Sequence, residues 1–374
     1  MRLFQLVFLF LSVSFAIHAQ TTDTGMITHD NLERDYRIYI PASYDGSKAF
    51  PLVFNLHGFG SNGFQQQFYS EMGETAQEND FLVCFPNGVD NAWNVGWANG
   101  STADDVGFIS ALIDHLSAEY NIEPNQVYSC GMSNGGFMSY RLACELNDKI
   151  AAVASVTGSF SPDYFGECEP GKSVPALEIH GTADLVVPYN GSPTLSIGIE
   201  EVISFWTENN QCVLSPDTTI IEDIVTTDSS TAIQVDYKDC DLETQVSLIK
   251  IDGGGHTWPG ASFDAGVTNQ DFNASQAIWD FFEQFTLCNQ GTTALETINI
   301  DPLVLYPNPS NSELNIRGNS IKKSNYQIIN HLGNIVQDGK LLDGKIGIQN
   351  IPTGHYILRI KSQDKDQTTP FVKI

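Results

Sequence analysis

The stretch VYSCGMSNGGF, residues 127–137, decides how the rest of the chain is read. Its first four residues have the character of a short buried strand, and the helix formers of residues 137–146 follow at once. Between them Gly131, Met132, Ser133, Asn134 and Gly135 spell G-x-S-x-G. A strand, a sharp turn through serine and an immediate helix is what a nucleophile elbow requires. Glycine lets that turn close without a Cβ clash and leaves the serine oxygen exposed. Chance also produces the five-residue pattern in ordinary turns, so its meaning depends on what the chain places around it.

Upstream, residues 35–41 (DYRIYIP) alternate as an edge strand would, after a short leader. Residues 51–57 (PLVFNLH) form a near-continuous apolar run ending in His57-Gly58, the pattern of a strand buried on both faces. Residues 64–78 read as helix, 81–86 (FLVCFP) as strand, and 104–120 as an amphipathic helix capped by Asp104. Downstream, residues 150–156, 175–180 (PALEIH) and 245–252 (QVSLIKID) are further strands, with helices near 197–208 and 273–287. Strands alternating with helices predict an α/β fold, a doubly wound and mostly parallel sheet covered on both faces. Ligands of such sheets sit beyond the carboxyl ends of the strands.

The 374 residues exceed one average domain, and the charge divides them. Residues 20–300 carry eight Lys and Arg against 39 Asp and Glu, a net of −31, whereas residues 301–374 carry nine against six. So acidic a surface repels nucleic acid and polyanionic polymers and suits a neutral substrate. Residues 1–19 run from Met-Arg through an apolar stretch to a cleavage site after Ala19, which predicts a secretory signal rather than a membrane span. The expected organisation is therefore a signal peptide over 1–19, a catalytic domain over 20–288, a linker over 289–302 and a small all-β module over 303–374. That last segment consists of short strands separated by Gly, Asn and Pro turns.

Seven cysteines in an exported chain predict disulfides and leave at least one unpaired. Cys212 and Cys240 flank a hairpin expected over 218–225 and 231–238, so a bridge at its base is one candidate; Cys144 and Cys168 are a second. Cys84 and Cys130 lie in core strands, where inert thiols are expected. Neither Cys-x-x-Cys nor His-Glu-x-x-His spacing occurs, so no metal and no cofactor is expected.

A serine nucleophile needs a base, because its free hydroxyl is a poor nucleophile at neutral pH. Of the eight histidines, His18 leaves with the signal, His29 is in the leader, His115 is inside a helix, and His331 and His355 belong to the tail. His57 and His180 end core strands just before Gly and are suited to shaping loops. His256 remains, on the glycine-rich loop after the last strand. The orienting carboxylate should come from a strand end between Ser and His, and Asp184 after PALEIH fits better than Asp163 or Asp223. Oxyanion donors are expected from the Asn134 amide, at a helix N-terminus, and from the loop His57-Gly58-Phe59-Gly60 through the Phe59 amide. Asp104 and Asp105 read as caps and solvated carboxylates. Trp93, Trp97 and Trp258 lie in strand-end loops; Trp93 and Trp258 are the candidates for an aromatic substrate wall.

The runs LHGFGSNG, FPNG, AWNVGW, DDVGFISALIDHL, GMSNGGFMSYRLACEL, IHGTADLVVPYNG and GGGHTWPG, within residues 30–287, resemble the secreted esterase family of feruloyl esterases, acetylxylan esterases and polyhydroxybutyrate depolymerases. The resemblance implies an α/β-hydrolase fold with Ser133, Asp184 and His256 as triad, the set that elimination also reached. Phe59 departs from the small or polar residue often found after His-Gly in that family, which should narrow the acyl pocket. The tail, from YPNP through PTGHYILRI to FVKI, is similar to the C-terminal sorting module of Bacteroidetes type IX secretion cargo, implying export across both membranes by that machinery. The expected substrates are feruloyl- or acetyl-type esters of polysaccharides. Alternatives are a polyester depolymerase, which would want a broad exposed apolar patch that no long hydrophobic loop advertises, a prolyl-oligopeptidase-like peptidase lacking its propeller, and a non-catalytic carbohydrate- or surface-binding protein.

Overall fold

The computed structural model describes residues 20–213, 215–263, 266–287, 304–317, 325–330, 334–341, 344–361 and 366–374. Segments 1–19 and 288–303, which include the expected signal, Cys288 and the expected linker, lie outside them. The chain falls into two compact units that divide between Thr292 and Thr293.

The first unit is built on one ten-stranded sheet. Strands β3 (Phe50–Leu56), β4 (Leu82–Pro86), β5 (Ile122–Met132), β6 (Ala152–Val156), β7 (Ala176–Gly181) and β10 (Val246–Asp252) run parallel, in the order β4-β3-β5-β6-β7-β10. Antiparallel pairs close both sides: β1 (Thr21–His29) and β2 (Leu32–Ile40) beyond β4, and β9 (Thr231–Tyr237) and β8 (Asp217–Ile220) beyond β10. The strand expected at the edge over 35–41 is therefore interior. The residues taken as its leader form β1, whose alternating but largely polar side chains carry too little apolar contrast for a strand to show in sequence.

The parallel strands are apolar on both faces because helices cover both. Along β3, Leu52, Phe54 and Leu56 enter one core with Phe108 and Leu112 of α3 (Asp105–Glu119), Met138 of α4 (Asn134–Glu145) and Trp206 of α6 (Ile199–Asn209). Val53 points the other way. There Phe81 stacks on Trp279 of α7 (Ala274–Phe282) at 4.1 Å, and Tyr128 of β5 stacks on Phe282 at 4.8 Å. The helix expected over 64–78 is two, α1 (Gly63–Ser70) and α2 (Met72–Asn79), because Glu71 between them takes a left-handed conformation with φ 50°. A short α5 (Pro162–Phe165), opened by a Ser161 cap, was not expected.

The second unit has two antiparallel sheets. One holds β11 (Val304–Tyr306), β12 (Glu313–Arg317) and β15 (Lys345–Gly347); the other runs β14 (Ile335–Lys340), β13 (Asn325–Asn330), β16 (Gly354–Lys361), β17 (Asp366–Lys373). Leu314, Ile328, Leu358 and Phe371 share its core.

Both expected disulfides are present. Cys144–Cys168 ties the end of α4 to the segment before β7, and Cys212–Cys240 ties the residues after α6 to those after β9. Cys84 and Cys130 are free thiols, and burial pushes both well above their ordinary titration range. Cys144 and Cys168 are 24 residues apart. Replacing both with Ser should lower unfolding stability by about 3–4 kcal/mol, the chain-entropy value for a loop of that size. Urea denaturation of the oxidised wild type and the double variant measures this, and an unchanged midpoint would show that the bridge does not constrain the unfolded chain.

Candidate active site

Ser133 sits where β5 gives way to α4, in a backbone conformation (φ 54°, ψ −122°) that side chains rarely adopt. Two close approaches hold it there. A Cβ on Gly135 would fall 2.1 Å from the Leu56 carbonyl oxygen at the end of β3, and one on Gly131 would fall 2.5 Å from the backbone of Gly135. Only glycine permits the helix to start this tightly against the neighbouring strand. The Ser133 amide donates to Val156 O of β6 at 2.8 Å, fixing the elbow to the sheet from its other side.

Asp184 follows β7 and His256 follows β10, and the adjacency of these strands brings the two together. His256 Nδ1 lies 2.7 Å from Asp184 Oδ2, with the carboxylate buried and the imidazole 17% exposed. Asp184 Oδ1 accepts the amides of Val186 and Val187 at 2.8 and 2.9 Å, so its carboxylate cannot rotate. With Nδ1–H donating to this carboxylate, Nε2 of His256 carries the lone pair and has no hydrogen-bond partner among the described residues. Ser133 follows β5, which lies two strands from β7. Among the described residues no hydrogen bond joins its hydroxyl to His256, a contact that commonly tightens only when substrate is bound.

The loop after β3 lies against the elbow: a Cβ on Gly58 would stand 3.5 Å from the Ser133 Cβ. Phe59 is 73% exposed, so its ring stands on the surface rather than narrowing a pocket. Asn134 is buried, and its side chain clamps Trp93 from both sides, accepting the Trp93 amide at 2.7 Å and donating to the Trp93 carbonyl at 3.2 Å. The Asn134 backbone amide meanwhile stands in the first turn of α4.

Both tryptophans expected to touch substrate are core residues, each 1% exposed. Trp93 donates its indole N–H to His57 O at 2.9 Å and packs on the His57 ring; Trp258 donates to Ser275 Oγ at 3.2 Å and receives no solvent. A large ring with one donor satisfies both its needs inside, and loop position did not reveal this. The exposed apolar side chains of the strand-end loops are instead Phe59, Leu185, Val186 and Phe263, continued along α1 by Phe64 and Phe68. Phe68 meets Phe263 edge-on at 5.5 Å. An open groove of about 630 Å³ lined by Phe64, Phe68, Arg37 and Glu71 runs along the flank of α1 and not over Ser133.

Asp104 caps α3 as expected, accepting the Gly107 amide at 3.0 Å, and also contacts His29 at 2.9 Å. Asp105 is not solvated. It is buried, pairs with Arg34 at 2.6 Å and accepts the Asn94 amide at 2.7 Å, which anchors the loop carrying Trp93. Only tertiary pairing explains this carboxylate, since Arg34 lies 71 residues away in β2. His57 does shape its loop: Nδ1–H donates to Gly58 O at 2.8 Å and Nε2 accepts the Gly88 amide at 3.0 Å. His180 does more than that. Its ring lies 2.8 Å from Glu178 Oε1 and 3.5 Å from Asp184 Oδ2, with all three side chains buried. Glu178, a charge inside the otherwise apolar strand PALEIH, is the sequence signal that points to this pair. Among the described residues no group of three or more His, Cys, Asp or Glu side chains is placed to hold a metal ion, and no helix is long and apolar enough to cross a membrane.

Residues 98–212 match the family described as Phospholipase/Carboxylesterase, and residues 304–374 match the family described as Secretion system C-terminal sorting domain. A probable feruloyl esterase C of Aspergillus clavatus is 30% identical over 282 residues, spanning 71% of this chain and 91% of that protein. Feruloyl esterase B of Piromyces equi is 29% identical over 264 residues, and the chain spans less than half of that relative's length, 45%. Among solved structures, an acetyl xylan esterase from Aspergillus awamori aligns over 63% of this chain with a TM-score of 0.47 at 15% identity.

Burial pushes His57 down to about 4, so the folded protein keeps it neutral. Unfolding frees it to bind a proton below its ordinary value of 6.5. Its contribution to stability is therefore complete above that value and is lost as pH falls toward 4, about 3 kcal/mol in all. Urea unfolding at pH 7 and pH 4.5 should show this decline in wild type and a shallower one in His57→Gln; equal declines would assign the slope to other groups.

Proposed function

The chain belongs to the feruloyl esterase family, and from that membership we propose that it is an exported serine hydrolase of neutral carboxylic esters, with Ser133 as nucleophile, His256 as base and Asp184 as the carboxylate that orients the base. The observation that carries the proposal is the 2.7 Å contact of Asp184 with His256 at the ends of adjacent strands, on the sheet edge where Ser133 also stands. Neutral His256 takes the Ser133 proton through Nε2 as the oxygen attacks the ester carbonyl. Asp184 stabilises the imidazolium so formed. The Asn134 and Phe59 amides receive the oxyanion, each donor worth about 3–4 kcal/mol in comparable sites. Collapse expels the alcohol with the proton from His256, and water, activated by the same base, releases the acid from Ser133.

Feruloyl- or acetyl-type esters of polysaccharides are the proposed substrates, supported by the names of the relatives and by an acidic surface that disfavours polyanions. A second proposal, polyester hydrolysis, is favoured by one observation: exposed Phe59, Leu185, Val186 and Phe263 at the strand-end loops supply apolar surface that sequence did not advertise. Comparing methyl ferulate, acetylated xylan and polyhydroxybutyrate film decides between them, and faster clearing of the polyester would overturn the first. Ser133→Ala should abolish turnover and Asp184→Asn should cost orders of magnitude with the fold intact. Activity should fall on acidification, because a protonated His256 cannot accept the serine proton.

Residues 303–374 are proposed as a separately folding module, joined by a linker over 289–302, that passes the enzyme to type IX secretion machinery. Its own core and its reversed charge support a role apart from catalysis. Deleting 303–374 should leave kcat unchanged and hold the enzyme in the periplasm; full secretion of the truncated chain would refute the sorting role.

A further inference from the structure

Behind Asp184 and His256 lies a second acid–imidazole pair. Glu178 and His180 are two residues apart on β7, so both side chains project to the same face of the sheet, the one covered by α4 and α6, and both are fully buried. Tyr140 of α4, seven residues beyond Ser133, donates its hydroxyl to Glu178 Oε2 at 2.6 Å. Glu178 Oε1 meets His180 Nδ1 at 2.8 Å. His180 Nε2 faces two acceptors, Val187 O at 2.9 Å and Asp184 Oδ2 at 3.5 Å, and so must carry a proton. Asp184 Oδ2 then meets His256. Tyr140, Glu178, His180, Asp184 and His256 form one continuous path of polar contacts from α4, the helix that Ser133 opens, to the His256 imidazole, buried as far as Asp184.

We propose that Glu178 and His180 are positioning residues for the reaction: Glu178 holds His180 as an imidazolium, and that buried cation offsets the charge of Asp184 and fixes the oxygen that receives the His256 proton. The proposal rests on the assignment of Asp184 and His256 as catalytic. The charges alternate along the path, Glu178 negative, His180 positive, Asp184 negative. Among the described residues the Tyr189 ring also faces His180, edge-on at 5.9 Å, with its hydroxyl donated to Glu200 of α6, which also pairs with Lys250 of β10 at 3.3 Å. Burial opposes the imidazolium, but Glu178, the Val187 carbonyl and Asp184 together outweigh it and raise His180 above its ordinary range. Burial keeps the Tyr140 hydroxyl protonated and able to donate.

A purely structural pair and a charge-balancing pair differ in their effect on pH dependence. In Glu178→Gln the amide oxygen can still accept from Tyr140 and its N–H can donate to a neutral His180, so the shape is kept while the cation is lost. Asp184 then acts on His256 without an offsetting charge, the His256 imidazolium is held more strongly, and the acid limb of kcat/KM should move up by about one pH unit.

The test is the pH profile of the full-length enzyme with a short p-nitrophenyl ester, for wild type, Glu178→Gln and Asp184→Asn. An upward shift supports the proposal; a lowered plateau with an unmoved limb overturns it, leaving a structural role. If Asp184→Asn stays fully active, the triad assignment itself falls, a different outcome from an unmoved limb beside an inactive Asp184→Asn. A second measurement does not depend on the variant folding: histidine-selective ¹⁵N NMR of the wild type should show His180 protonated on both nitrogens at pH 7, and a neutral His180 overturns the proposal.

Discussion

The close approach of α4 to the end of β3 is the constraint on which the candidate site depends. With Gly135 against the Leu56 carbonyl and Gly131 against Gly135, the chain leaves β5, turns through Ser133 at positive φ and enters α4 within a few residues. The strain at Ser133 is tolerable because backbone contacts on both sides over-determine it, Val156 O from β6 and the β3 terminus from the other side. The same approach sets Gly58 beside the Ser133 Cβ, so one packing contact aligns Ser133, the helix N-terminus and the loop that carries the Phe59 amide.

Around that contact the protein solves an electrostatic problem. Residues 20–300 contain only eight Lys and Arg, too few to pair many acids, and Arg34 is committed to a buried Asp105. Asp184 and Glu178 are therefore balanced by other means: backbone amides at Asp184 Oδ1, a tyrosine hydroxyl at Glu178 Oε2, and His180 between them. Burying a carboxylate without such partners would be costly, and leaving one partner out would strand a charge in the core. Arg34 and Asp105 do comparable service for the Trp93 loop, which Asn134 clamps from the elbow.

Much of this was legible in order along the chain. Near-continuous apolar runs such as PLVFNLH identify strands buried on both faces, and their alternation with helices identifies a parallel sheet, a fold whose ligands sit beyond the carboxyl edge. Ser133, Asp184 and His256 stand out because each follows such a strand, and the hairpin flanked by Cys212 and Cys240 marks its own disulfide. Less visible was β1, whose polar alternation resembles a leader, and the break at Glu71, where a left-handed residue divides what periodicity joins. The burial of Trp93 and Trp258 is not legible in sequence, because a loop position says nothing about which way a ring turns, and both turn inward to satisfy an indole N–H.

Sequence by itself determined the fold class, the order of its elements and the residue types at strand ends, because hydrophobic period and turn chemistry are local properties of the chain. Tertiary structure alone decided which carboxylates are paired, with Asp105 meeting Arg34 across 71 residues and Asp184 meeting His256 across 72. It also decided which aromatics face solvent, and it made His180 a member of a buried charge path rather than a loop-shaping residue. The physical reason is that burial and pairing belong to the neighbours a side chain acquires when strands are laid side by side, and those neighbours are set by the order of strands in the sheet rather than by the order of residues in the chain.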